Sequence, residues 1–424
     1  MFAVCQNSMG SSMRKAAPLV LMITLLGLPV SMLAGGKKKG AAPAEPPLIE
    51  RLDYSKIVWP NPPAITRVKY LDFFAAEKVP TRETMKKKGA WMDRLAGAAT
   101  GETAVDKPLF QLAQPYGVAV DSKGRLYVAD SKVGAIFVFN TENKDVELIR
   151  NGAQAHFKMI TGLTIDDTDR IFVSDSVARH VLVFDPQRRV EATVSEGMSS
   201  PAGVAIDNEN RLLYVADTDL DQVLVYDADS YKLVRKIGTA GKKHESTEAG
   251  LFSRPTNVAV DPDGNLYVAD TFNNRIEIFD ADGNFVSAFG KNGDGPGYFA
   301  RPKGVAIDKD GHVWVADTVQ DRVQVFTREG RLLLWMGGHG MLPGQFNAVQ
   351  GITIDKNNRV FTSEQYPGRT QMFRYITNDE ALAEKARRDA AAEKKSGSGK
   401  TDTKVQAPAG KDSAVEKVQP AAAK

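Results

Sequence analysis

Residues 255–270 read PTNVAVDPDGNLYVAD. Val258 and Val260 alternate with small residues, as a strand of period two requires. After a turn, Leu266, Tyr267, Val268 and Ala269 form a run that is apolar on both faces, the pattern of a strand buried between neighbouring sheets. The turn between them carries Gly264 three residues after Asp261, where a tight hairpin corner needs a residue that tolerates positive φ.

The same phrase recurs as PYGVAVDSKGRLYVAD (115–130), ITGLTIDDTDRIFVSD (160–175), PAGVAIDNENRLLYVAD (201–217), PKGVAIDKDGHVWVAD (302–317) and VQGITIDKNNRVFTSE (349–364). The leading aspartates Asp121, Asp166, Asp207, Asp261, Asp308 and Asp355 are spaced by 45, 41, 54, 47 and 47 residues. A step of roughly 40–50 residues in a β-rich chain marks propeller blades. Three residues after each aspartate stand Gly124, Asp169, Asn210, Gly264, Gly311 and Asn358, all tolerant of positive φ. Each unit continues into a third run ending on an aromatic, such as 276–279 or 323–326, and into a fourth, such as 285–289 or 332–335. The expected fold is all-β: a six-bladed propeller of four-stranded antiparallel blades.

The sixth unit stops after its third strand, 370–375, and gives way to charged Ala/Glu/Lys sequence. A strand-like run at 65–71, ITRVKYL, precedes the first unit and resembles the fourth strands. It is expected to complete the last blade from outside, so that the ring closes without an exposed edge.

These units resemble NHL repeats, and the chain is similar to bacterial NHL-repeat propellers over about 65–375. The recurring elements are [PV]-x-[GN]-[VIL]-[AT]-[VI]-D and [VT]-[AS]-[DE]-[TS]. Such propellers host binding scaffolds and enzymes alike, so the resemblance implies a fold more than an activity. Among its implied activities are a zinc-dependent lyase that releases amidated peptides and, in similar folds, calcium-dependent lactonases.

Composition narrows the field. The formal charge is +3, from 55 basic and 52 acidic residues, with no basic stripe of the kind nucleic-acid binding needs. The single cysteine, Cys5, precedes the repeats, so the propeller has no disulfide, thiolate metal site or haem-attachment motif. Residues 1–36 read as an export signal: Arg14 and Lys15, an apolar run at 16–33, then the small residues Ala34, Gly35 and Gly36. The alternative is an uncleaved anchor that associates the protein with a membrane. Either places the propeller in the periplasm or outside the cell. Residues 37–64 read as a Pro/Ala-rich linker, 76–112 as a helical and loop insertion, 376–395 as a charged helical extension and 396–424 as a disordered tail.

In this topology the loops joining fourth to first strands and second to third strands share one face. Three of them, 239–256, 290–303 and 337–350, are long and glycine-rich, and propellers bind ligands on such faces over the channel. The first-strand entrances nearest the axis carry Tyr116, Thr161, Ala202, Thr256, Lys303 and Gln350. One base and no carboxylate make a poor set for Ca²⁺ and lack the acid–base pair that proton transfer needs. One carboxylate per unit ends the second strand: Asp130, Asp175, Asp217, Asp270, Asp317 and Glu364. A feature that every blade repeats is expected to build blades, capping backbone amides, with a basic or polar partner five residues later. Zinc would require converging histidines, and the five in the chain fall at different register positions. The expected function is a non-catalytic cell-envelope scaffold, without cofactor or metal, that engages a protein or glycan partner through Tyr116, Thr161, Thr256, Lys303 and Gln350. The alternative is a Zn- or Ca-dependent lyase or lactonase with its site over the channel.

Overall fold

Each repeat folds into one antiparallel sheet whose first strand lies at the axis and whose fourth lies at the rim. The computed structural model describes residues 52–76, 110–150, 152, 155–240 and 248–397, with side chains through 390. The export segment, the linker to residue 51, residues 77–109 of the insertion and the tail beyond residue 397 lie outside the described residues. Blade 1 comprises Pro115–Val120, Leu126–Asp130, Ala135–Phe139 and Val146–Arg150, and blade 2 Ile160–Ile165, Ile171–Asp175, His180–Phe184 and Val190–Val194. Blade 3 comprises Pro201–Asp207, Leu212–Asp217, Gln222–Asp227 and Leu233–Ile237. Blade 4 comprises Pro255–Val260, Leu266–Asp270, Arg275–Phe279 and Phe285–Phe289, and blade 5 Pro302–Ile307, Val313–Asp317, Arg322–Phe326 and Leu332–Gly337.

Blade 6 has Val349–Ile354, Arg359–Glu364 and Arg369–Tyr375, and its fourth strand comes from the other end of the chain. Val68–Phe74 pairs antiparallel with Arg369–Tyr375, placing Val68 opposite Tyr375 and Phe74 opposite Thr370. The closing strand therefore runs three residues further than the sequence pattern indicates. A fifth strand, Val58–Trp59, pairs with Val68 and Lys69 on its outside. Residues 54–59 thus belong to the propeller rather than to the linker drawn to residue 64. Burial explains why: Tyr54, Ile57 and Trp59 pack against Tyr70 and Phe373, with the Tyr54 ring 5.1 Å edge-on to Tyr70 and Trp59 5.8 Å from Phe373. Beyond the last blade the chain forms a helix, Asn378–Gly397, tied back by Lys69 to Glu384 at 3.1 Å.

Six hydrophobic clusters occupy the six interfaces between blades, so the core is a ring of wedges. This explains the sequence pattern strand by strand. Second strands such as Val313–Asp317 are buried at every position because both faces meet a neighbour, whereas outer strands such as Leu233–Ile237 alternate. The loops into the first strands add a plug to three wedges. Phe252, Phe299 and Phe346 are fully buried, and each lies against a glycine ending the preceding outer strand. A Cβ on Gly238, Gly290 or Gly337 would lie 2.2–2.4 Å from the ring, and φ there is +78°, +96° and +94°. Only glycine satisfies both conditions.

The hairpin corners follow the sequence with one exception. Gly124, Asp169, Gly264, Gly311 and Asn358 have positive φ, but in blade 3 that conformation falls on Arg211 rather than Asn210. The 201–217 repeat is one residue longer, and its corner accommodates the insertion by moving the left-handed position one place on.

Candidate functional site

At the third position of five repeats stand Gly117, Gly162, Gly203, Gly304 and Gly351. A Cβ on Gly162 would lie 2.1 Å from the Ala202 carbonyl, and one on Gly351 2.3 Å from that of Tyr116. Neighbouring inner strands thus approach too closely for any side chain. The channel they enclose, about 190 Å³, is walled by Val, Ala, Leu, Ile and Thr. The fourth repeat has Asn257 there instead, its Oδ1 accepting the Val258 amide at 2.8 Å, and this side chain borders both the channel and the cavity above it.

That upper cavity, about 310 Å³, opens on the face of the long loops and is lined by Tyr116, Thr161, Ala202, Thr256, Lys303 and Gln350 together with Ser176, Ser200 and Thr218. The structure therefore gathers the five proposed face residues around one mouth. Two cations line it, Arg254, which pairs with Asp219 at 3.2 Å, and Lys303. The second is held within the protein. Its Nζ donates to Gln350 Oε1 at 2.8 Å and lies 6.0 Å over the Tyr116 ring. Gln350 is only 4% exposed, and its Nε2 is tied to the Ala348 carbonyl at 3.2 Å, so the acceptor is fixed. Among the described residues Lys303 has no carboxylate partner. Burial, aided by the nearby Arg301 charge, lowers its pKa, and burial raises that of the Tyr116 phenol. Thr256 and Thr161 are partly committed to the scaffold: Thr256 Oγ1 lies 2.6 Å from Thr271 Oγ1, and Thr161 Oγ1 donates to the Pro201 carbonyl at 3.3 Å.

The six strand-ending acids are fully buried just below this face. Asp130 accepts the amides of Ala113 (2.6 Å), Gln114 (2.9 Å), Lys132 (3.0 Å) and Val133 (2.9 Å), joining the incoming loop to the next turn. Asp175 and Asp317 repeat the four-amide pattern, and Asp217 accepts from Ser199, Ser200 and Leu220. The expected partner five residues on is a base in two blades only. Arg275 meets Asp270 at 2.9 Å and Arg369 meets Glu364 at 2.7 Å. Arg322 instead lies over the Trp335 ring at 5.4 Å, and Gln222 donates to the Gly238 carbonyl at 3.2 Å. Where four amides already surround the carboxylate, no guanidinium is needed to satisfy it.

The leading aspartate of each repeat, which the sequence used only to set the spacing, builds the opposite hairpins. Asp121 Oδ1 accepts the amides of Lys123 and Arg125 at 3.0 and 2.8 Å, while Oδ2 takes Arg125 Nε at 2.6 Å. Arg170, Asn265, His312 and Arg359 play the same part, and Asn210 does so in the longer corner. The recurring Arg, Asn or His four residues after the aspartate was the available signal. The described histidines are dispersed. His312 bonds Asp308 at 3.0 Å, His339 bonds Asp321 at 2.7 Å, and His180 starts a third strand. Among the described residues no group of three or more His, Cys, Asp or Glu side chains is placed to hold a metal, and no helix is long and apolar enough to cross a membrane.

The mouth has a further feature. First strands begin opposite the ends of second strands, for example Pro302 opposite Asp317, so the turns after the buried acids surround the cavity. On those turns Val133, Val177, Phe272, Val319 and Tyr366 are exposed, Val177 by 55% and Val319 by 63%. Arg301 lies over the Phe272 ring at 4.3 Å. Sequence reasoning passed over this crown because it sought charged or ligating groups. Its signal is an apolar residue two places after the acid in four of six repeats: Val177, Phe272, Val319 and Tyr366.

The fold and its repeats define an NHL-repeat, six-bladed β-propeller protein. Residues 112–139 match the NHL repeat, and residues 244–313 match a family described as a 6-bladed beta-propeller. The probable peptidyl-alpha-hydroxyglycine alpha-amidating lyase pgal-1 of Caenorhabditis elegans is 39% identical over 88 residues, 20% of this chain and 24% of that protein. NHL repeat-containing protein 2 of Bos taurus is 30% identical over 100 residues, 23% of this chain and 14% of that protein. The chain thus spans a quarter or less of the length of these curated relatives. A structural-genomics protein from Bacteroides thetaiotaomicron superimposes with a TM-score of 0.51 at 14% identity, covering 65% of this chain and 72% of that one, a likeness of fold alone.

Proposed function

We propose that this propeller is a non-catalytic binding scaffold of the cell envelope that holds a protein partner on its mouth face. The observation that carries the reading is the crown. Five large apolar side chains sit exposed around a cavity lined by polar groups, and at Val133, Val177 and Val319 the turn backbone is pinned by a buried carboxylate. Rigid turns bring little ordering cost to an interface, and a cluster of exposed apolar side chains marks an interaction surface. The crown is aliphatic at Val133, Val177 and Val319, which suits a protein surface better than a glycan, whose sugar faces stack on aromatic rings. Export by residues 1–36 belongs to the same proposal.

Affinity capture from the source cells tests it, comparing the native chain with a Val177→Asp, Val319→Asp variant and with an Asp282→Lys control on the opposite face. The proposal expects a partner kept by the native chain and the control and lost by the crown variant. Equal capture by all three would reject the mouth face.

The 39% identity over 88 residues to a protein named as a lyase favours a second reading, a Zn- or Ca-dependent lyase or lactonase working over the channel. Stoichiometric zinc or calcium in the purified protein, lost together with an activity on chelation, would put that reading first.

A further inference from the structure

We propose that the mouth cavity is a carboxylate-binding pocket, and that it receives an acidic side chain from the partner seated on the crown. The inference rests on the proposed function for the source of the carboxylate, but the chemistry of the pocket stands by itself. Two cations line the cavity: Arg254, already paired with Asp219 at 3.2 Å, and the half-buried Lys303, whose only hydrogen-bond acceptor among the described residues is the neutral Gln350 Oε1 at 2.8 Å. A buried ammonium is costly unless it is paired, and the strand-ending carboxylates buried beneath this face are already engaged. Asp130, Asp175, Asp217, Asp270, Asp317 and Glu364 are all spent on amides or on arginines. The Asp219 carboxylate at the rim meets Arg254 at 3.2 Å. Among the described residues none of these carboxylates pairs with Lys303, and a partner's carboxylate would supply the counter-charge.

The surroundings select the anion. The cavity wall carries the hydroxyls of Ser176, Ser200 and Thr218 and the phenol of Tyr116; Ser176 and Thr218 already donate to the Met159 and Pro255 carbonyls at 3.3 and 3.0 Å, which leaves Ser200 and Tyr116 as donors to an anion. One ammonium with neutral donors matches a single negative charge. A phosphate dianion would call for a second free cation or an arginine fork, and the other lining cation, Arg254, is held by Asp219. The volume of about 310 Å³ admits one acidic side chain with its backbone, and the smaller channel of about 190 Å³ lies beneath it. A carboxylate inserted here lies at the centre of the crown, where water is excluded and a charge pair is worth most.

Calorimetric titration of the full chain with the peptide acetyl-Ala-Glu-Ala-amide, its Gln counterpart and glutarate tests the proposal. The expected result is saturable binding of the Glu peptide, at least about tenfold weaker for the Gln peptide. Lys303→Gln should lose binding to the same extent. So should Gln350→Glu, which supplies an internal carboxylate to Lys303 and leaves the ammonium in place should Lys303→Gln not fold. Equal affinity for the Glu and Gln peptides, undiminished binding by Gln350→Glu, or no binding at all would overturn it. Glutarate binding as tightly as the peptide would overturn the assignment to a partner's side chain. A partner lost by the crown variant but retained fully by both cavity variants would sink this inference and leave the proposed function standing. Peptide binding that depends on Lys303, with a partner indifferent to the crown, would do the reverse.

Discussion

At position 312 a histidine stands where the preceding repeat has Asn265, and both side chains bond the leading aspartate of their own hairpin. The bond to Asp308 is the main cause that raises the His312 pKa above its ordinary value, with burial opposing and Asp310 assisting. The Tyr375 hydroxyl, 3.3 Å from Nδ1, also faces it. Because the folded value lies above the unfolded one, the pair's contribution is complete below the unfolded pKa and is lost as pH rises through the folded one. Urea stability of the native chain should therefore fall between about pH 6 and 8 relative to His312→Asn, which keeps the hairpin bond without titrating. Parallel profiles would show that the ion pair adds nothing. At this scale the sequence was legible wherever a residue type answers a single local demand, as glycine does at the corners. It was less so at Asn210, where one inserted residue moved the left-handed position to Arg211. It was least so at Lys303, whose importance lies in what does not neutralise it.

The elements are wedges, and the plugs hold them apart at the correct width. Phe299 is fully buried against Phe289 and Phe326, with ring centroids 6.4 and 5.4 Å away. Phe299→Ala should cost about 3–5 kcal/mol in urea unfolding, the range for removing a buried aromatic side chain. A loss below about 1 kcal/mol would mean that the loop, not the wedge, carries the ring. Strand order and the borrowed closing strand were readable because periodicity and turn chemistry repeat in every unit. The strand Val58–Trp59 was not, since two residues beside three prolines carry no period, and only their packing on Tyr70 and Phe373 makes them part of the sheet. The basic or polar partners expected five residues after most of the acids reduced to Arg275 and Arg369 for a similar reason: amides from a loop distant in sequence had already filled the lone pairs.

Across the whole molecule, six wedges fix six turns around one mouth, and the proposed function depends on that arrangement rather than on any single residue. The entrance positions at the start of each first strand were legible because the repeat aligns them, and they converge on the cavity. The crown was not, because a turn residue's exposure is decided by the blades on either side. Hydrogen exchange on the captured complex tests the central claim most directly. The account predicts slowed exchange on binding at the mouth-face turns 131–134, 176–179, 271–274, 318–321 and 365–368, with the opposite hairpins at 122–124 and 309–311 unchanged. Protection confined to those opposite hairpins, or to the outer strands, would contradict it.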